Sequence, residues 1–209
     1  MKMNLPNKLT VMRLCLVPVI LIVGFLPTSI IPFYLSCFIC AALFIGTAVT
    51  DMLDGKIARR DGLITDFGKF LDPVADKFMV IGALFVLLHK FGNLNMLLIV
   101  TLIIVVFREL AVTSMRLVVS TGEGIVIAAN SLGKIKTVSQ IVAISTTFLE
   151  PVVQFVFKWI LEMATGKTLV WRTDIVPLTW ASIAFSLIMT VWSGINYIKS
   201  YWKYLDPEK

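Results

Sequence analysis

Six apolar runs divide this chain, several of them approaching or exceeding the length needed to cross a bilayer, and no other feature constrains the fold so tightly. They cover roughly residues 9–26, 31–49, 74–88, 96–118, 134–161 and 176–198. Crossing the hydrocarbon core takes about 20 helical residues. No water in lipid can satisfy a free backbone N–H or C=O, so such a run spans as a helix. The expected fold class is therefore an all-α polytopic membrane protein with six transmembrane helices. Charged residues make up only 15% of the chain, against roughly 25% in soluble domains. No polar stretch is long enough for a second unit, so residues 1–209 are expected to form one domain. The fifth run exceeds one crossing and is expected to tilt or to project from the membrane. The opening MKMNLPNKLTVMR lacks a small-residue cleavage site and is taken as mature sequence.

A net charge of +6 could suggest nucleic acid in a soluble protein, but here the positions of the charges speak for topology. With the N-terminus in the cytoplasm, fifteen of the nineteen Lys and Arg residues fall at cytoplasmic helix ends. Only Lys90, Lys158, Lys167 and Arg172 do not. Cytoplasmic loops carry such an excess. Both termini are thus expected in the cytoplasm, with no nucleic-acid partner. The C-terminal KSYWKYLDPEK has the aromatic and basic residues of a membrane interface. Cys15, Cys37 and Cys40 lie in apolar runs and read as small buried hydrophobes.

The stretch DMLDGKIARRDGLITDFGKFLDPVAD, residues 51–76, breaks this pattern with six aspartates. Asp51 and Asp54 are spaced i,i+3, and Asp72 and Asp76 are spaced i,i+4, so each pair shares a helix face. Gly62 and Gly68 are turn candidates between them. Two antiparallel helices joined there could aim four carboxylates at one cavity. Such a group repels itself unless a cation compensates. All-oxygen ligation suits Mg²⁺ or Mn²⁺, and four carboxylates on two helices can hold two ions. A solvated loop explains Asp61 and Asp66 well enough. It explains the others poorly, because Asp51 follows FIGTAVT and Asp76 precedes FMVIGALF, and carboxylates at span margins are costly.

The same stretch resembles the signature of the CDP-alcohol phosphotransferases, D-x2-D-G-x2-A-R-x8-G-x3-D-x3-D. Asp51, Asp54, Gly55, Ala58, Arg59, Gly68, Asp72 and Asp76 fill all eight fixed positions. The resemblance extends over essentially the whole chain and its six-span plan. It implies transfer of a substituted phosphate from a CDP-linked donor to an alcohol, with release of CMP. It further implies that Asp51, Asp54, Asp72 and Asp76 hold two metal ions, that Asp76 is also the general base, and that Gly55, Ala58, Arg59, Thr65 and Gly68 line the CDP site. Residue chemistry agrees. Gly55 removes a side chain next to a ligand position, and Arg59 offers a forked cation to a diphosphate. Members of the family are commonly homodimers, and the expected location is the plasma membrane of a bacterial cell, with the site facing the cytoplasm.

The N-terminal NKLTVMR resembles the N-x-L-T-x-x-R opening of those family members that use glycerol 3-phosphate as acceptor. It assigns Asn7 and Thr10 to the CDP-diacylglycerol donor, although Asn7 also suits a helix cap. Arg108 and Arg116 lie eight residues apart, near one face of the fourth helix, and Lys134 and Lys136 open the fifth. Positive-inside topology and snorkelling account for Lys199 and Lys203. They account less well for Arg108, which lies with Glu109 between VTLIIVV and LAV. A bound phosphate would favour such a cluster. Arg13, Arg108, Arg116, Lys134 and Lys136 are therefore the expected acceptor-phosphate residues. His89 sits in a turn at the opposite end and is given no catalytic part.

The favoured reading is an enzyme acting on CDP-diacylglycerol and glycerol 3-phosphate within membrane lipid. A related transferase with inositol phosphate, serine or phosphatidylglycerol as acceptor is the alternative of the same class. A divalent-cation transporter is the alternative of another class, because intramembrane carboxylates also mark ion paths. The third to sixth spans are taken to carry no acidic residue in their outer halves, which counts against a path.

Overall fold

Helix boundaries in this chain are set by a few identifiable capping residues. The computed structural model describes residues 4–60, 65–122, 131–168 and 176–202. The side chains at positions 5, 6, 54, 56–60, 66, 69 and 120–122 fall outside that description. The helices are α1 (Leu5–Phe25), α2 (Phe33–Arg60), α3 (Asp66–Lys90), α4 (Asn95–Gly122), α5 (Ser131–Thr165) and α6 (Pro177–Tyr201). A short 3-10 turn, Gly92–Leu94, precedes α4.

Asn4 caps α1, its side chain accepting from the Asn7 backbone N–H at 3.2 Å. The helix stops where Leu26 turns extended, as the residue before Pro27 should. Thr65 caps α3, and eight residues of that helix precede the apolar run expected to begin at 74. Those first turns mix Asp66, Lys69 and Asp72 with exposed Phe67 and Phe70, so an apolar run alone does not place them. The cap of α6 comes from another helix. Glu150 of α5 is buried, and its two oxygens accept from the backbone N–H groups of Leu178 at 3.1 Å and Thr179 at 2.7 Å. This corrects the expectation that the outer half of the fifth span is free of acidic residues. Both oxygens are engaged by α6, so Glu150 serves as an N-terminal cap.

α1 packs against α2 and α3, α2 against α5, α5 against α6, α6 against α4, and α4 back against α3. The six helices thus close a ring, with α3 also touching α5 across it. Val17, Ile20, Phe44, Val86, Leu87 and Phe148 are among the residues filling its core. Gly24 permits the α1–α3 approach: a Cβ there would stand 2.3 Å from a Val86 methyl.

Five of the six helices are long and apolar enough to cross a membrane. In α3 the charges of Asp72, Asp76 and Lys77 interrupt the apolar length. Large apolar side chains, including Ile103, Phe107 and Leu110 on α4 and Trp192 and Ile195 on α6, face outward. Ser36, Thr47, Thr101, Thr147, Thr190 and Ser193 are buried between helices. Apolar exteriors with small polar residues at helix contacts suit lipid rather than water. The protein is an integral membrane protein.

Candidate active site

The seam between α1 and α3 brings two of the sequence motifs into step. Thr65 Oγ1 accepts from the Gly68 N–H at 3.1 Å and donates to Asn7 Oδ1 at 3.0 Å. A Cβ on Gly68 would lie 2.9 Å from that same Asn7 oxygen, so a glycine lets α1 rest on the first turn of α3. One turn on, Thr10 Oγ1 donates to Asp72 Oδ1 at 2.6 Å. One turn further, Arg13 Nη1 meets Asp76 Oδ1 at 3.1 Å and Asp51 Oδ1 of α2 at 2.6 Å. Asn7, Thr10 and Arg13 therefore pair in order with Gly68, Asp72 and Asp76. Helical spacing permits this only because both helices run the same way.

Arg13 is 0% exposed, whereas the side chains of Asp51 and Asp76 are 40% and 48% exposed. A buried guanidinium anchors the two carboxylates from behind, and both stay partly exposed. Hard, partly exposed anionic oxygens are the donor chemistry that Mg²⁺ or Mn²⁺ prefers. Among the described residues no three acidic, His or Cys side chains gather closely enough to hold an ion. The expected fourth ligand, Asp54, follows Asp51 on the unbroken helix α2, but its side chain lies outside the described residues, as do those of Ala58, Arg59 and Asp66. Asp61 and Gly62 also lie outside them.

The basic set forms on α4 and α5. Arg108 Nη1 donates to Glu109 Oε1 at 3.1 Å, and its Nη2 donates to Ser193 Oγ at 2.8 Å. Lys136 is buried and donates to the same Glu109 oxygen. Arg116 donates from Nε at 2.9 Å and from Nη2 at 2.7 Å to the hydroxyl of Tyr197. Lys134 is exposed beside them. Gly194 leaves room for Arg108, whose Cγ would lie 3.2 Å from a Cβ there. At the rim, Lys77 Nζ donates to Thr113 Oγ1 at 2.6 Å, tying α3 to α4.

Two adjoining cavities join these groups. One, of about 830 Å³, is bounded by α2, α4, α5 and α6 and reaches Asp51. The other, of about 450 Å³, reaches Asp72 and Asp76. Arg108, Glu109, Arg116, Lys136 and Thr137 line both. The larger cavity continues between α2 and α5 along an apolar wall that includes Ile45, Val49, Met52, Ile141 and Leu149. Carboxylates able to hold cations, cations able to hold phosphate and an apolar groove thus share one space.

Arg13 departs from its expected place. It stands with the aspartates, and among the described residues the basic set consists of Arg108, Arg116, Lys134 and Lys136. Asn7, Thr10 and Thr65 stand at the α1–α3 seam, as hydrogen-bond partners of one another or of Asp72. Glu109, Ser193, Gly194 and Tyr197 were not singled out in the sequence. Ser193 and Tyr197 are four apart on α6, so they share a face, but that signal has meaning only once Arg108 and Arg116 are opposite them.

The family model for CDP-alcohol phosphatidyltransferase matches residues 3–192. A CDP-diacylglycerol–glycerol-3-phosphate 3-phosphatidyltransferase of Bacillus subtilis strain 168 is 36% identical, covering 97% of each chain. Proteins of the same name from Escherichia coli K12 and Yersinia enterocolitica are 31% and 30% identical. The alignments cover 96% of each chain for the first, and 99% of this chain and 100% of the relative for the second.

Proposed function

This chain belongs to the CDP-alcohol phosphatidyltransferase family, and from that premise we propose that it transfers the phosphatidyl group of CDP-diacylglycerol to glycerol 3-phosphate, releasing CMP. The observation that carries the choice of a phosphorylated acceptor is the cavity lining, and the names of the relatives favour glycerol 3-phosphate among such acceptors. Arg108, Arg116 and Lys136 face the same space as Asp72 and Asp76, so an alcohol whose phosphate sits on the cations presents its hydroxyl to the carboxylates. Serine carries no phosphate for these residues to bind.

Asp76 takes the proton of the acceptor hydroxyl, and the freed oxygen attacks the lipid-side phosphorus of the donor. The bond from that phosphorus to the CMP oxygen breaks, and CMP departs with the electron pair. Two divalent ions held by Asp51, Asp54, Asp72 and Asp76 would supply positive charge to the diphosphate. Gly55, Ala58, Arg59 and Gly68 border the nucleotide. Asn7, Thr10 and Thr65 set the α1–α3 seam beside it, and Arg13 fixes Asp51 and Asp76. The acyl chains lie along the apolar wall between α2 and α5, in contact with membrane lipid. The site faces the cytoplasm from the plasma membrane of a bacterial cell, residues 1–209 act as one domain, and the assembly is a homodimer.

The test supplies purified protein in detergent micelles with CDP-diacylglycerol, Mg²⁺ and one acceptor at a time. The expected outcome is CMP and phosphatidylglycerophosphate with glycerol 3-phosphate, and little turnover with serine, inositol phosphate, phosphatidylglycerol or free glycerol. Faster turnover with another acceptor would overturn the choice. Absence of CMP release with every acceptor would overturn the transferase reading itself.

A further inference from the structure

α6 supplies no charged group to the cavities, yet it fixes both arginines of α4. Ser193 and Tyr197 lie one turn apart and receive Arg108 and Arg116 respectively, while Gly194 leaves the space that Arg108 crosses. The two arginines are not held alike. Arg108 bonds the Glu109 carboxylate, and so does Lys136, so much of the charge of that pair is balanced inside the protein. Arg116 instead gives two of its three nitrogens to one neutral oxygen, the Tyr197 hydroxyl, at 2.9 and 2.7 Å. The Tyr197 ring centre lies 5.1 Å from Arg116 Cζ, within cation–π range. Tyr197 is 3% exposed and packs against Tyr201. Arg116 is exposed and lines both cavities.

A neutral acceptor orients a guanidinium without cancelling its charge. Two donors on one oxygen also fix the guanidinium plane, so Nη1, the nitrogen Tyr197 does not use, keeps a defined direction. Phosphate recognition by arginine depends on such a set plane. We propose that Tyr197 is a positioning residue for acceptor recognition: its hydroxyl holds Arg116 in place, at full charge, for the phosphate of a phosphorylated alcohol. This rests on the reading of Arg116 as an acceptor-phosphate residue.

The experiment compares Tyr197→Phe, Arg116→Ala and the double variant by initial rates in micelles, varying glycerol 3-phosphate and CDP-diacylglycerol in turn. Tyr197→Phe keeps the ring and its packing on Tyr201 and removes only the oxygen. It should raise the KM for glycerol 3-phosphate about five- to tenfold, because the guanidinium loses its set direction but keeps its charge. Its kcat and donor KM should stay within about twofold. Arg116→Ala should raise the acceptor KM further, and adding Tyr197→Phe to it should change nothing more, because Tyr197 acts through Arg116.

If Arg116→Ala raises the acceptor KM but Tyr197→Phe does not, the positioning inference fails and the acceptor site stands. If Arg116→Ala leaves glycerol 3-phosphate kinetics normal, the acceptor-site reading fails and the inference falls with it. Additive losses in the double variant, or equal losses for both substrates, would show a general structural part for Tyr197 and overturn the inference. Should Tyr197→Phe not fold, Tyr197→Met reads the same quantity, since a flexible apolar side chain fills the space of the ring and offers the guanidinium no oxygen. A raised acceptor KM with a normal donor KM supports the inference, and an unchanged acceptor KM overturns it.

Discussion

A fully buried arginine shared by two half-exposed aspartates is an economical way to hold a charged site in a membrane protein. Arg13 Nη1 reaches Asp51 on one helix and Asp76 on another, so one guanidinium fixes the separation of two carboxylates from different parts of the chain. Burying such a cation is costly unless its partners stay in place. Replacing Asp51 with Asn leaves the contact to Asp76, and replacing Asp76 with Asn leaves the contact to Asp51. Each single variant should therefore fold and lose turnover. Asp51→Asn with Asp76→Asn should cost more stability than the two changes summed, with a coupling of about 0.5–3 kcal/mol. Thermal unfolding in detergent for the wild type, both singles and the double gives the cycle, and additive losses would deny that Arg13 couples the carboxylates. Asp72→Asn should abolish turnover with a smaller stability change, because the partner of Asp72 is the Thr10 hydroxyl rather than a buried charge. Activity comparable to wild type in that variant would remove Asp72 from the metal set.

Among the elements, α6 depends most visibly on a neighbour. Its N-cap, Val176, makes no side-chain cap hydrogen bond, and Glu150 of α5 supplies both acceptors. Glu150→Ala leaves backbone donors unsatisfied at a buried helix end, at a cost of about 1–3 kcal/mol. The change lies far from the aspartates, so the melting temperature should fall while the rate per folded molecule is retained. A loss of rate with unchanged stability would instead give Glu150 a part in turnover. The bond from Glu150 to Leu178 links residues 28 apart, and here the limit of sequence reading becomes clear. Apolar runs locate helices because burial in lipid acts on every residue of a span. The spacing of Asp72 and Asp76 reaches only the second turn of α3; its first turn mixes charged residues with exposed Phe67 and Phe70 and is held by a Thr65 cap and by α1. Clusters of Asp, Arg and Lys stood out because charge is scarce in this chain. Tyr197 did not, since an aromatic residue near a span end reads first as an interfacial anchor, and its hydroxyl gains meaning only from Arg116 across the α4–α6 contact. The sequence sets Arg13 both in the N-x-L-T-x-x-R opening and among the cations, whereas helix packing decides its partners.

At the scale of the whole molecule, ring closure puts the α1–α3 seam and the α4–α6 pair on two sides of common cavities. It thereby sets the carboxylates facing the arginines. The described charged groups of that site lie toward the same end of the bundle as the N-terminus of α1. A transferase with this plan meets its soluble acceptor from one side only, so the orientation in the membrane decides which compartment supplies it. Lys and Arg placement is the ground for the proposal that this end faces the cytoplasm. The check is site-directed labelling in a background where Cys15, Cys37 and Cys40 have been replaced. Cys37 and Cys40 are buried in the core, so that background must first be shown to retain activity. Asp61→Cys, between the two aspartate pairs in the sequence, should react with an impermeant maleimide in inside-out vesicles and stay unlabelled in intact spheroplasts. Gly92→Cys, at the exposed turn before α4, should react in spheroplasts. The two positions are separated by α3, whose apolar second half crosses the bilayer if the six-helix topology is right. Labelling of both from the same side would therefore deny that α3 crosses. Labelling with the sides exchanged would place the carboxylates and arginines outside the cell and leave a cytoplasmic acceptor beyond their reach.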